Sequence, residues 1–266
     1  MQAPRLNGQV TVVTGGSSGI GRAACLALVR AGSRVVVVGK TPHRVAETVA
    51  VLAQAGGSEA VLGLTLDVCS AQDMAHMVEQ TLARFGRLDA LVACAGIGRA
   101  RGAQRLLPYP VAQLPVAEWD EVIATNLTGV FVSNRAVLPT MMQQRRGIII
   151  NVASARGGQF GSPYAAAYCA SKFGVVGFSH ALAAEVSAYG IKVLTLLPDA
   201  TATPLLGPAD ATRWGKPLAP ERVGEVICDL LALPQDVLLL DPIVTALANQ
   251  GQVRRRWWGA VTGCFH

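Results

Sequence analysis

The chain has 266 residues, of which 51% are apolar and 15% charged, whereas an average globular chain carries about 25% charged residues. This composition excludes intrinsic disorder. It suits one large α/β domain over residues 1–266 with extra burial, most simply by self-association into a homo-oligomer. Half of the net charge of +6 comes from Arg254, Arg255 and Arg256, so the rest of the chain lacks the organised basic surface of a nucleic-acid-binding protein.

No run reaches the roughly 18 apolar residues that a membrane span needs. The first residues lack the apolar stretch of a signal peptide, so a cytoplasmic protein is expected. The six cysteines and four histidines are scattered without metal-ligand spacing. Reduced thiols and no metal site are expected.

Short Val/Ile/Leu runs alternate with longer helical stretches. Strands are expected at 10–14, 34–38, 62–67, 90–95, 148–153, 192–197 and 237–240. Helices are expected at 19–31, 42–55, 71–85, 116–141, 167–189 and 220–233. The valines from Val35 to Val38 and the isoleucines from Ile148 to Ile150 show no polar alternation, as a parallel strand covered on both faces requires. Strand, helix and strand at this spacing form right-handed crossovers. The expected fold is a Rossmann-type doubly wound parallel sheet of about seven strands with helices on both faces. Ligands of such sheets sit beyond the carboxyl ends of the strands.

At the first strand end stands Thr14-Gly15-Gly16-Ser17-Ser18-Gly19-Ile20-Gly21, which opens a helix. Glycines there allow a sharp turn and the close approach of a pyrophosphate, and the helix amino terminus offers free N–H groups to the anion. At the second strand end, where an acidic residue would bond the ribose of NAD, stand Gly39, Lys40 and Thr41, with Arg44 one turn on. No carboxylate repels a 2′-phosphate there and Lys40 can pair with one, so NADP(H) is expected over NAD(H). The alternative is that Lys40 and Arg44 are simply solvated cations.

Tyr168 and Lys172 are four residues apart and so share a helix face. A phenol titrates near 10 and is a poor base at neutral pH; a nearby ammonium favours the phenolate and makes tyrosine a usable acid or base. Tyr164 lies in the same stretch, but the residue four further on is Tyr168, not a lysine. Ser154, at a strand's carboxyl end, can bond a substrate oxygen on which charge develops. Ser162 and Ser171 are set aside, the first as a loop residue and the second as lying on another helix face.

These motifs in this order resemble the short-chain dehydrogenase/reductase family in its short single-domain form, over about residues 6–245. The glycine loop is similar to the family's TGxxxGxG. Asp67-Val68 is similar to the pair that brackets the adenine, and Cys94-Ala95-Gly96 to the Asn-Ala-Gly turn. Asn126, Ser154 and the YxxxK of Tyr168–Lys172 are similar to the catalytic tetrad. The resemblance implies hydride transfer between a nicotinamide and a carbonyl or secondary alcohol. Tyr168 then passes the proton, Ser154 bonds the oxygen, Lys172 holds the ribose, and Asn126 supports a water relay through its backbone carbonyl. It also implies cofactor contacts from Asp67, Val68, Ala95, Gly96, Pro198, Thr201 and Thr203, and assembly as a homodimer or homotetramer. Three departures stand out: Cys94 replaces Asn, Ser154 to Tyr168 is one residue longer than expected, and Pro198 is followed by Asp199 instead of Gly. Asp199 is expected to put a carboxylate near the nicotinamide.

Two loops, 97–115 and 203–218, are expected to form the substrate pocket. The first carries Arg99, Arg101 and Arg105, which either meet an anionic group or are solvated. The second, with Leu205, Leu206 and Trp214, reads as an apolar lid over a moderately apolar ketone. The tail 252–266 sets three arginines beside Trp257 and Trp258; packing or an oligomer contact is favoured over a membrane surface. The leading reading is an NADP(H)-dependent ketone reductase or alcohol dehydrogenase. The competing ones are a catalytically silent nucleotide-sensing or scaffold protein and an imine or enoyl reductase.

Overall fold

The four valines expected to lie between two layers do so: Val35 to Val38 are fully buried on β2 (Arg34–Gly39). The structure is a computed structural model that describes residues 6–99, 109–159, 161–206 and 216–249. β2 joins β1 (Val10–Thr14), β3 (Val61–Thr65), β4 (Ala90–Ala93), β5 (Gly147–Val152), β6 (Ile191–Pro198) and β7 (Ile243–Val244). The seven strands are parallel, in the order β3-β2-β1-β4-β5-β6-β7. The direction of winding reverses between β1 and β4, which places the ligand crevice beyond the carboxyl ends of those two strands.

Alternate strand residues feed the two layers. Val35, Val37, Ile148 and Ile150 pack with α1 (Gly19–Arg30), α2 (Pro42–Gly56) and α8 (Pro220–Leu231) through Leu28, Leu52 and Ile227. Val36, Val38 and Ile149 pack on the other face with α3 (Ala71–Phe85), α5 (Gly129–Gln144) and α7 (Ala166–Val186) through Met74, Met141 and Val175. Two shorter helices, α4 (Val116–Ile123) and α6 (Ala155–Gln159), stand near the strand ends. No helix of the described residues is long and apolar enough to cross a membrane.

Two expectations fail. The helix expected over 116–141 is interrupted by a π turn at Ala124–Thr128, which turns Asn126 fully inward. The inward amide satisfies the backbone of Ile97 on both sides, an interaction that a local helix pattern does not report. The seventh strand is not 237–240. Lys192 Nζ donates to the carbonyls of Leu233, Pro234 and Val237 at 3.3, 2.9 and 3.1 Å, bending the chain after α8. Strand pairing then begins later, with Ile243 opposite Leu197. The apolar residues Val237 to Leu240 lie exposed on the surface.

α8 crosses α1 at Gly224, where an added Cβ would lie 2.7 Å from the Ala23 carbonyl carbon and 2.9 Å from the Ala24 nitrogen. The obstacle is backbone, so only a shift of the whole helix would relieve it. Gly224→Ala is therefore expected to lower stability by about 1–3 kcal/mol, read as a lower midpoint in urea denaturation. A wild-type midpoint would show that the two helices are not in close contact.

Candidate active site

The glycine turn after β1 is built around backbone contact with the end of β4. Gly15 has φ +67°, and a Cβ on it would lie 2.8 Å from Ala95 Cα. Gly21 faces the Gly15 carbonyl so closely that a side chain there has no room. Ser18 stands at the N-cap of α1 without a side-chain cap bond, and the first turn carries no acidic residue. At α3, by contrast, Ser70 accepts from the Asp73 N–H at 3.1 Å. The turn of Gly15, Ser17, Ser18, Gly19, Ile20 and Gly21 thus leads into the amino terminus of α1, whose first N–H groups receive no side-chain cap from Ser18, the arrangement of a helix-terminus anion site. Thr203 lies over it, its side chain 3.2 Å from where a Gly19 Cβ would be.

Other expected cofactor residues border the same crevice. Lys40 Nζ is 2.5 Å from Asp67 Oδ2. Val68 is buried and packs against Gly129, and Gly96 lies beside Asn126 and the Lys172 ammonium. Pro198 ends β6, and the Thr201 hydroxyl donates to the Asp199 carbonyl at 2.9 Å. Arg44 is exposed in the first turn of α2.

The four expected catalytic residues converge beyond β5. Ser154 follows that strand; its hydroxyl accepts from the Gly157 N–H at 3.2 Å and is hydrogen-bonded to the Tyr168 phenol. Tyr168 and Lys172 share a face of α7, with Nζ 5.9 Å from the ring centroid. Lys172 is 5% exposed, and its Nζ donates to the Val152 carbonyl at 2.8 Å. Burial lowers this amine to about 8, with the nearby Cys94 opposing the shift.

The phenol departs from expectation. Burial, opposed by the Ser154 bond, holds Tyr168 above its ordinary value rather than below it. The Lys172 ammonium donates to the Val152 carbonyl.

Asn126 Oδ1 accepts from the Ile97 N–H at 2.8 Å, and Nδ2 donates to the Ile97 carbonyl at 2.9 Å and to Ser171 Oγ at 3.1 Å. The asparagine thereby ties the turn after β4 to α7 one residue before Lys172. Ser171, set aside on the sequence, belongs to this network and also donates to the Tyr168 carbonyl at 2.7 Å. Gly157 was missed as well: a Cβ there would fall 2.6 Å from the Tyr168 ring. Neither carries a local signal, because each matters only through a residue brought to it by the fold.

The departures from the family pattern resolve differently. The Cys94 thiol is pushed up to about 11 by burial, against the pull of Lys172, and is inert as a nucleophile at neutral pH. Asp199 Oδ2 accepts from Thr245 Oγ1 at 2.8 Å, and the Asp199 N–H donates to the Val244 carbonyl. Its carboxylate therefore bonds the segment after β7. Between Ser154 and Tyr168 lie α6 and a turn from Ser162 to Ala165, with Pro163 second and Tyr164 third at φ +64°. Arg101, Arg105, Leu106, Leu107, Trp214 and the tail 252–266 lie outside the described residues.

The short chain dehydrogenase family model matches residues 9–214. A 3-oxoacyl-[acyl-carrier-protein] reductase of Synechocystis is 36% identical over 221 residues, covering 80% of this chain and 85% of the relative. An alcohol dehydrogenase from Thermococcus sibiricus, solved with 5-hydroxy-NADP, superposes with a TM-score of 0.77 at 27% identity, over 90% of this chain and 97% of the other. A 3-ketoacyl-(acyl-carrier-protein) reductase from Brucella melitensis, solved with NADH, gives 0.79 at 28% identity, over 90% and 98%. The chain belongs to the short-chain dehydrogenase/reductase family of oxidoreductases.

The lowered Lys172 value makes a stability prediction. Between pH 8 and the ordinary lysine value of 10.5 the unfolded chain binds the proton and the folded chain does not, so this amine adds stability as pH rises. The urea-derived stability of the wild type relative to Lys172→Met should thus increase from pH 8 to 10, by up to about 1.4 kcal/mol per unit. A difference independent of pH would mean that the amine is solvated.

Proposed function

We propose that the chain is an NADP(H)-dependent oxidoreductase that interconverts a carbonyl and a secondary alcohol, with Tyr168 as the acid/base. The observation that carries this reading is the meeting of Ser154, Tyr168 and Lys172 beyond β5, and a glycine turn opening the uncapped amino terminus of α1 supports it. When bound, a reduced nicotinamide supplies the hydride.

The protein's part is placement and proton transfer. Ser154 and Tyr168 bond the carbonyl oxygen. A phenol is protonated at neutral pH, and burial raises Tyr168 further, so it serves as the proton donor for reduction. Oxidation needs the phenolate and is favoured as pH rises. Lys172 holds the ribose hydroxyls and returns a proton to the phenol, and Asn126 supports a water behind it. Gly15, Ser17 to Gly21, Asp67, Val68, Ala95, Gly96, Pro198, Thr201 and Thr203 line the dinucleotide, with Lys40 and Arg44 at its 2′-phosphate. We read residues 1–266 as one domain. The loops 97–115 and 203–218 flank the substrate, which the apolar Leu205 and Leu206 suit to a moderately apolar ketone.

Tyr168→Phe is expected to reduce kcat by about 10²- to 10⁴-fold while leaving the equilibrium affinity for NADPH within a few-fold. The assay follows reduced-nicotinamide absorbance with a panel of ketones and with NADPH and NADH in parallel. Wild-type turnover in that variant would remove Tyr168 from the chemistry, and a large NADH advantage would refute the cofactor assignment.

Self-association is supported by exposed aromatics on adjacent helices: Trp119 on α4, Phe131 on α5 and Phe173 on α7 are 37%, 44% and 44% exposed. Light scattering should give two or four times the single-chain mass. A uniform species at the single-chain mass would contradict the assembly.

A further inference from the structure

At the adenine end of the crevice, two residues assigned above to the cofactor are bound to each other. Gly39 pairs with Thr65, and the Leu66 N–H donates to the Gly39 carbonyl at 3.0 Å. The residues that follow β2 and β3 therefore emerge side by side, and Lys40 meets Asp67 in an ion pair. Asp67 is the fixed partner. Its N–H donates to Asp73 Oδ2 at 2.7 Å, and its Oδ1 accepts from the Cys69 N–H at 3.1 Å. Lys40 is the movable one, a flexible side chain 52% exposed.

The position before Lys40 is a glycine in crowded surroundings. A Cβ on Gly39 would lie 3.0 Å from Ser17 Cβ, closer still to its hydroxyl, and 3.1 Å from Val45. Beside the exposed Arg44, selection between a ribose hydroxyl and a ribose phosphate thus involves the Lys40–Asp67 pair.

We propose that Asp67 is a specificity determinant, which competes with the cofactor's 2′-phosphate for Lys40. The proposal rests on the NADP(H) reading above and refines it. A 2′-phosphate, with a charge near −2 at neutral pH, must draw the ammonium from Asp67 and then sits near an unpaired carboxylate. Both effects oppose it. A 2′-hydroxyl leaves the pair intact and meets neither penalty. The exchange is feasible because an exposed pair is screened by water and salt.

Protonation offers no escape. Partial burial raises the Asp67 carboxyl, but the Lys40 ammonium and the Cys69 N–H outweigh it and hold the group below its ordinary value. The pair therefore reduces the preference for NADP(H) below what an unpaired Lys40 would give.

The test measures binding as well as turnover. Adenosine 2′,5′-bisphosphate and adenosine 5′-monophosphate are titrated calorimetrically into the wild type, Asp67→Asn and Lys40→Gln, and kcat/KM is compared for NADPH and NADH. Asparagine keeps an oxygen for the Cys69 N–H. Each selectivity is a ratio taken on one preparation, so a loss of folded protein cancels. Asp67→Asn is expected to raise the bisphosphate-to-monophosphate affinity ratio by about 3- to 5-fold, and Lys40→Gln to lower it by about tenfold. The NADPH-to-NADH ratio should move in step, and the gain from Asp67→Asn should shrink in the Lys40→Gln background.

If Asp67→Asn leaves the ratio unchanged or lowers it while Lys40→Gln still lowers it, the competition is refuted and the NADP(H) reading survives. If Lys40→Gln changes neither ratio, Lys40 does not hold the phosphate and the competition is refuted, whereas a wild type that favours NADH over NADPH refutes the NADP(H) reading itself. Asp67→Ser, which keeps a hydroxyl for Cys69, carries the same expectation should the asparagine variant not fold.

Discussion

The site is organised around one buried ammonium. Lys172 is almost fully enclosed, and a charge taken from water must be repaid by a close partner or be given up. The Val152 carbonyl, at the end of the central strand β5, is that partner, and the lowered pKa records how incompletely it compensates. The bond fixes α7 against β5, and through α7 it fixes the phenol one helical turn before the lysine. Removing Val152 from the strand end or Lys172 from the helix would unseat the other.

The asparagine network answers the same need from the opposite side. A π turn brings Asn126 inward, and its amide spans Ile97 and Ser171. Three chain segments distant in sequence thereby share one set of satisfied polar groups. Buried polar groups tolerate few arrangements, so the network holds the turn after β4 and the start of α7 in register. The same turn carries Ala95, against which Gly15 closes. The segment tied to Asn126 and the glycine turn are therefore joined at the switch point of the sheet.

Positions where the chain departs from the family pattern are those where local chemistry is a poor guide to placement. The carboxylate of Asp199 bonds Thr245, so the residue links β6 to the segment beyond β7. A thiol at Cys94 suggests reactivity, yet burial holds it protonated. The ammonium beside Tyr168 suggests a lowered phenol, yet burial, opposed by the Ser154 bond, holds it raised. In each case the residue type was visible and its partner was not.

How much of this was legible depends on the range of the interactions. Uninterrupted valines and isoleucines betray doubly covered strands because burial on both faces removes polar alternation. The glycine turn is readable because its steric demand lies in neighbouring residues. YxxxK is readable because four residues bring two side chains to one helix face. The run 237–240 misled for the converse reason: its apolar character is real, but Lys192, more than forty residues away, bends the chain there and leaves it on the surface. The helix over 116–141 misled because the π turn is stabilised by Ile97 and Ser171, which no helical pattern contains.

By itself, then, the sequence determined the parallel sheet from its periodicity, and it marked the glycine turn, Ser154, Tyr168 and Lys172 as candidates. Only the tertiary structure decided that Lys40 is paired with Asp67, that Ser171 stands behind Asn126, and that the phenol is raised. Those outcomes depend on desolvation and on partners from distant strand ends, which exist only once the chain has folded.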